Sequence, residues 1–86
     1  MNKRLTKSLY SAEWEALLKI LRDLRVKRGW TQDQLAQKLG RPQSFVAKIE
    51  AGERRLDVVQ FIDYTGVMEA DPVEAMQRLL KMVKKA

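Results

Sequence analysis

The sequence predicts an all-α fold of five helices. Apolar residues recur at spacings of three and four along most of the chain, and no stretch shows the period of two expected of a β-strand. Helix-start signals, in which a capping residue precedes an apolar stretch, occur at Ser11, Thr31, Asp57 and Asp71. The chain has 86 residues, which is enough for one domain and too few for two.

The composition favours a nucleic-acid partner. The chain carries 17 basic and 11 acidic residues, and its net charge of +6 is typical of nucleic-acid binders, although solubility alone could also account for it. It contains no Cys and no His, which excludes disulfides, Cys-based zinc sites and thiol–imidazole catalysis. It also lacks a Gly-rich phosphate loop and an apolar run of membrane-spanning length. We therefore predict no enzyme activity, no cofactor and no membrane association.

The N-terminal part of the chain divides into an arm and a first helix. Residues 1–10 are basic and lack an apolar face, so we interpret them as a flexible arm preceding a domain at 11–86. Ser11 is the predicted N-cap of the first helix. Arg25 falls within the apolar stripe of that helix, so it needs either a charged partner or a path to water along its methylene groups.

Residues 31–50 form the motif around which the chain is organised. Thr31 begins a T-x-x-Q capping box, and Gly40 can adopt the positive φ that ends a helix. After a turn containing proline, a second short helix is predicted over 43–50. A helical wheel places its apolar residues on one side and small or polar residues on the other, namely Gln43, Ser44, Ala47 and Lys48. Two short helices joined in this way predict a helix-turn-helix.

At these residues the chain resembles the Cro/repressor-type (XRE-like) family of bacterial and phage DNA-binding domains. The resemblance runs from about residue 21 to 62 and rests on residue types at fixed offsets: Gln32, Leu35-Ala36, Gly40, Ser44, Val46, Ile49-Glu50 and Gly52. It implies a five-helix Cro/repressor-like domain in the cytoplasm that binds double-stranded operator DNA as a transcriptional regulator, with repression expected. An antitoxin, which binds its own operator and a toxin protein, is the alternative. A protein-binding module without DNA affinity is a third.

The resemblance also implies which residues of the second motif helix read bases. Family members use four positions for such contacts, which here hold Gln43, Ser44, Ala47 and Lys48. The amide of Gln43 suits adenine and the amine of Lys48 suits guanine, whereas Ala47 offers only a methyl group. An exposed polar face without any partner is the alternative interpretation.

Phosphate contacts and one ion pair are implied in the same way. Family members place an amide and a backbone N–H at the position of Gln32 against a phosphate. Four arginines flank the predicted reading face and are candidate phosphate contacts, although each could be ordinary solvated surface: Arg28, Arg41, Arg54 and Arg55. In this family the arginine that matches Arg25 pairs with the glutamate ending the recognition helix, here Glu50.

Two further helices are predicted after the motif. Asp57 begins the first of them, which we expect to end at Gly66 and to face inward with Val58, Phe61, Ile62 and Thr65. Asp71 and Pro72 begin the last helix, over 72–85. Its apolar side has the spacing of a helix-packing seam and comprises Val73, Met76, Leu79, Leu80 and Val83. We predict a homodimer through this seam, the alternative being that it packs on the first helix around Trp14 and Leu18.

Overall fold

The structure is a computed structural model that describes residues 11–85. These residues form five helices and no strand, which confirms the predicted all-α fold. The helices are α1 (Ala12–Lys27), α2 (Gln32–Leu39), α3 (Gln43–Glu50), α4 (Val58–Val67) and α5 (Pro72–Lys85). None of these five helices is long and apolar enough to cross a membrane. The basic arm predicted for residues 1–10 lies outside the described residues.

Side-chain caps begin four of the five helices at the predicted places. The capping side chain accepts a hydrogen bond from a backbone N–H of the first turn at Ser11, Thr31, Asp57 and Asp71. At Thr31 and Asp57 the reciprocal bonds from the backbone to Gln34 and Gln60 complete two capping boxes. Gly40 ends α2 with φ at +68°, a conformation that would strain an L side chain. Local chemistry therefore sets the bounds of the motif.

The core lies between the motif and the helices that flank it. α2 packs on α3 and α4, while α1 contacts α3 and lies along α5. The inner side predicted for α3 is confirmed, because Phe45, Val46 and Ile49 are all buried. These three belong to one buried cluster that also contains Ile20, Leu21, Leu35, Ala36, Phe61, Tyr64, Met68 and Ala75. Burial of one side of α3 fixes its polar side toward solvent.

The predicted inner face of α4 is wrong in part. Val58 and Ile62 are 74% and 50% exposed, whereas Tyr64 and Met68 are buried. Val59 is also exposed, at 67%, so apolar residues lie on both the buried and the exposed sides of this helix. A helix with that composition gives no amphipathic pattern from which to choose the buried side. Phe61 and Thr65 are buried as predicted.

The predicted end of α4 is also wrong. The helix continues through Gly66 to Val67, and the left-handed turn residue is Glu69, with φ at +56°. Arg28 stabilises this turn because its Nη1 donates to the carbonyl oxygen of Met68 at 3.3 Å and contacts Oε1 of Glu69 at 3.2 Å. A contact from the residue that caps the end of α1 thus supports a turn residue that sequence preference does not favour.

The apolar side of α5 is divided between the core and the surface. Ala75 is buried, Leu79 packs against the core and Val83 is half-buried. The structure therefore assigns part of the predicted seam to packing within one chain, as one of the two sequence interpretations allowed. The remaining residues stay exposed and are called the exposed α5 stripe: Val73, Met76 and Leu80.

Candidate nucleic-acid interface

The outer side of α3 presents the four residues predicted to read bases. Gln43, Ser44 and Lys48 are exposed, and Ala47 is half-buried. The first turn of α3 contains no acidic residue, and its N-cap, Pro42, provides no side-chain hydrogen bond. The positive end of the helix dipole is therefore not offset by a carboxylate of that turn. A polar side and a positive helix end lie together on this surface.

Two glutamine side chains connect the start of α3 to the start of α2. Nε2 of Gln43 donates to Oε1 of Gln32 at 3.0 Å. Nε2 of Gln32 donates in turn to Oε1 of Glu50 at 3.0 Å. We call this chain of two bonds the amide relay. It begins at the largely buried carboxylate of Glu50 and ends at an exposed amide on the polar side of α3.

The carboxylate at the inner end of the relay is paired with Arg25. Nε and Nη2 of Arg25 donate to the two oxygens of Glu50 at 2.6 and 2.9 Å. Nη1 of Arg25 also donates to the carbonyl oxygen of Trp30 at 2.7 Å. The side chains of Arg25 and Glu50 are only 12% and 7% exposed. The pair thus links α1 to the end of α3 in a site that is largely shielded from water.

Both members of this pair are held in their charged forms. Burial by itself raises the pKa of Glu50, but hydrogen bonds from Arg25 and Gln32 together with the charge of Arg25 outweigh it, so the pKa lies below the ordinary value. The hydrogen bond to Glu50 is the main cause that raises the pKa of Arg25. Glu50 is therefore a hydrogen-bond acceptor with no proton to donate.

The four candidate phosphate-binding arginines occupy three different places. Arg41 and Arg54 lie over the ring of Phe45, with guanidinium carbons 4.8 and 4.9 Å from its centroid, and we call them the arginine pair. Arg55 lies over the ring of Trp14 at 4.8 Å, beside the start of α1. Arg28 is bound at the α4–α5 turn. The structure thus brings two of the four arginines to α3.

Sequence reasoning missed two features of this surface. The amide relay joins residues 11 and 18 positions apart, and no short-range spacing rule connects such positions. The second feature is Phe45, which the helical wheel assigns only to the core. The residue is 9% exposed, and its ring also contacts both members of the arginine pair. A cation over an aromatic face is a stabilising arrangement that the sequence alone does not reveal.

Comparison with known proteins establishes the family. The profile of a helix-turn-helix domain family matches residues 16–76. A solved XRE-family like protein from Pseudomonas syringae pv. tomato str. DC3000 is 44% identical, with a TM-score of 0.81. That match covers 92% of this chain and 96% of the other. The chain belongs to the XRE-like helix-turn-helix family. The family resemblance predicted from the motif residues is thereby confirmed.

Two restriction-modification controller proteins share the fold of this XRE-like domain. C.AhdI from Aeromonas hydrophila is 28% identical, with a TM-score of 0.63 and coverage of 76% of this chain and 99% of that chain. C.Esp1396I, solved as a tetramer in complex with its natural 35 base-pair operator, is 22% identical, with a TM-score of 0.74 and coverage of 83% and 93%. No curated protein sequence gives a significant match. This XRE-like domain is a DNA-binding regulator of the helix-turn-helix type.

Proposed function

We propose that this protein is a transcriptional repressor that places α3 in the major groove of a specific operator. The observation that carries the proposal is the exposed polar side of α3, which lies beside the arginine pair and is held outward by the buried opposite side. The operator complex of C.Esp1396I supports it, because that protein has the same fold. Nothing in the described residues or the related proteins favours the antitoxin alternative.

Within this proposal, the residues on the exposed side of α3 contact the bases. Gln43 leads the helix and carries both a donor and an acceptor, which match the N7 and N6 groups of adenine. Lys48 lies five residues further along and carries donors that suit O6 and N7 of guanine. Ser44 adds a short hydroxyl group, and Ala47 offers a methyl group for contact with thymine.

Replacing Lys48 or Gln43 with alanine should weaken binding to the preferred operator by ~1–3 kcal/mol and relax preference at one base pair each. The affinities can be measured by fluorescence anisotropy on an operator selected from random duplexes and on its single-base-pair variants. Lys38→Ala is the matched control, because Lys38 is an exposed lysine of α2 outside the reading side. Equal losses on every sequence would identify Lys48 and Gln43 as phosphate ligands instead.

Contacts with the phosphates of the DNA backbone are proposed for the arginine pair and for the start of α2. Arg41 and Arg54 are held on one aromatic ring, so less side-chain freedom is lost when they bind a phosphate. Both polar atoms of the Gln32 amide are engaged in the relay, so we propose that the N-terminal backbone of α2 faces the phosphate beside it. Arg28 is not included, because its guanidinium is bound at the α4–α5 turn.

Each member of the arginine pair should contribute to the salt dependence of binding. Arg41→Ala and Arg54→Ala should each lower the slope of log K against log [salt] by ~0.9, the value for one phosphate contact, while leaving the preferred sequence unchanged. Titrations at several salt concentrations measure this slope. Arg28→Ala, with the same loss of charge, should leave it nearly unchanged. Slopes that stay the same in both pair variants would place the contact surface elsewhere.

We also propose that the protein binds its operator as a homodimer. One recognition helix offers about four reading residues, and a two-fold axis doubles that number on a near-palindromic operator. The exposed α5 stripe supplies apolar surface for self-association. On the neighbouring helix α4, further apolar side chains are exposed: Val58, Val59 and Ile62. Exposed apolar patches are typical of interaction sites.

A further inference from the structure

We propose that Arg28 sets the spacing between the two operator half-sites that the dimer prefers. Its guanidinium connects the segment before α2 to the α4–α5 turn, and so fixes the direction in which α5 leaves the rest of the domain. Arg28 is then a positioning residue for operator recognition that touches neither a base nor a phosphate. The inference rests on the proposed function, because it concerns how α3 is placed relative to the proposed dimer helix α5.

Arg28 contacts two separate segments of the chain from its place at the end of α1. Its guanidinium carbon lies 4.8 Å from the centroid of the Trp30 ring. Its Nη1 donates to the carbonyl oxygen of Met68 at 3.3 Å and contacts Oε1 of Glu69 at 3.2 Å. One side chain therefore connects the residue before the N-cap of α2 with the turn that leads into α5.

The Trp30 end of this connection belongs to the helix-turn-helix. Trp30 immediately precedes Thr31, the N-cap of α2. Nη1 of Arg25 donates to the carbonyl oxygen of Trp30 at 2.7 Å. Nζ of Lys38, in the last turn of α2, lies 5.8 Å from the centroid of the Trp30 ring. A group that is bound to Trp30 is thus held relative to the motif.

The other end of the connection is a turn whose backbone bonds are all local. The N–H groups of Glu69 and Ala70 donate to the carbonyl oxygens of Gly66 and Thr65 at 2.9 and 3.0 Å. These bonds close the turn but do not relate it to α1 or α2. Glu69 also has φ at +56°, a conformation that is unfavourable for an L residue without support. Arg28 provides both the support and the relation to the motif.

Apolar packing alone would leave the direction of α5 less well fixed. Ala75 and Leu79 hold this helix on the core, and Met68 is buried where the turn begins. The hydrophobic effect is non-directional, whereas a hydrogen bond requires its donor and acceptor to be aligned. The bonds of Arg28 therefore restrict rotation of the turn, and of α5 after it, relative to the motif.

A small change in this direction becomes a large one at the DNA. In a dimer whose half-sites are ~34 Å apart, each copy of α3 lies ~17 Å from the two-fold axis. A rotation of the motif by ~10° about that axis would move α3 by ~3 Å, close to the ~3.4 Å rise of one base pair. The contact that fixes this angle thus selects among operators whose half-site spacing differs by one base pair.

The test compares Arg28→Met with Arg78→Met in the full chain. Methionine keeps an unbranched side chain and removes the guanidinium, while Arg78 is an exposed arginine of α5 that provides the same loss of charge. For each protein, affinity is measured on the selected operator and on two operators with one base pair inserted or removed between the half-sites. The ratio of these affinities does not depend on the fraction of folded protein, so a loss of stability leaves it unchanged.

We expect wild type and Arg78→Met to prefer the selected spacing by roughly tenfold or more, because one base pair also turns a half-site by ~35° about the DNA axis. Arg28→Met should lower this ratio about fourfold, since an exposed ion pair contributes a factor of roughly two and the dimer contains it twice.

Two results would overturn the inference and leave base reading by α3 intact: a spacing ratio that is unchanged in Arg28→Met, or one that falls equally in Arg78→Met. Affinity for a single half-site tests the proposed function separately. It should be the same in all three proteins, because Arg28 lies outside the reading side. Wild-type protein that does not distinguish the half-site from unrelated duplex DNA would overturn the proposed function instead.

Discussion

Glu50→Ala is expected to lower the free energy of unfolding by ~3–5 kcal/mol, the typical cost of breaking a desolvated ion pair on one side. The substitution removes the two carboxylate oxygens that accept from Arg25 and leaves its guanidinium, still bonded to the carbonyl oxygen of Trp30, without that counter-charge in a site where the side chain is only 12% exposed. Arg25→Met should have an effect of similar size, because it leaves the Glu50 carboxylate with Gln32 as its remaining partner. Urea-induced unfolding followed by circular dichroism measures both changes.

The double variant distinguishes the coupling between the two charges from the contribution of side-chain packing to stability. If the charges act as a unit, Arg25→Met combined with Glu50→Ala should be no less stable than either single variant. Asp23→Ala is the control, because Lys19 and Asp23 also meet at 2.9 Å but are 66% and 50% exposed. Its cost should stay below ~1 kcal/mol. Costs at Arg25 and Glu50 that simply add would show that the two residues are not coupled.

The features that sequence reasoning predicted correctly are those set by close neighbours along the chain. A capping residue and its partner lie three positions apart, so the starts at Thr31 and Asp57 can be read directly from the sequence. The buried side of α3 was predictable for a similar reason, because its apolar residues form one stripe and its polar residues another. Short-range chemistry thus fixes the helix that carries the reading residues.

The features that were missed depend on contacts between distant segments. Glu69 takes the left-handed position at the end of α4, where Arg28, 41 residues earlier, stabilises it. The helical periodicity could not indicate which side of α4 is buried, because the helix carries apolar residues on its exposed side as well. The amide relay likewise exists only after α2 and α3 have packed. Neighbouring residues along the chain contain no signal for these arrangements.

The second large effect is expected at the exposed α5 stripe. Its members Val73, Met76 and Leu80 are 62%, 41% and 49% exposed, at spacings of three and four on one side of the helix. A two-fold axis beside this stripe would pack each residue against its symmetry partner or a near neighbour. The two copies of α3 would then face successive major grooves, with half-sites ~34 Å apart on a near-palindromic operator.

Leu80→Glu should disrupt that dimer and weaken operator binding. A symmetric interface contains the substitution twice, and each copy would bury a carboxylate where an apolar contact had been. We expect the dimer dissociation constant to rise more than about tenfold, the effect of losing one strongly contributing interface residue. Sedimentation equilibrium measures this change. Helix content should stay the same, because Leu80 is half exposed in the single chain.

Gln77→Glu provides the control for charge, because it adds one negative charge to an exposed position of α5 without removing an apolar side chain. It should leave both the dimer and operator affinity nearly unchanged. If Leu80→Glu weakens binding only by disrupting the dimer, its effect on affinity should be smaller for a single half-site than for the full operator. Wild-type protein that sediments as a monomer at tens of micromolar and selects an asymmetric site would rule out the α5 dimer.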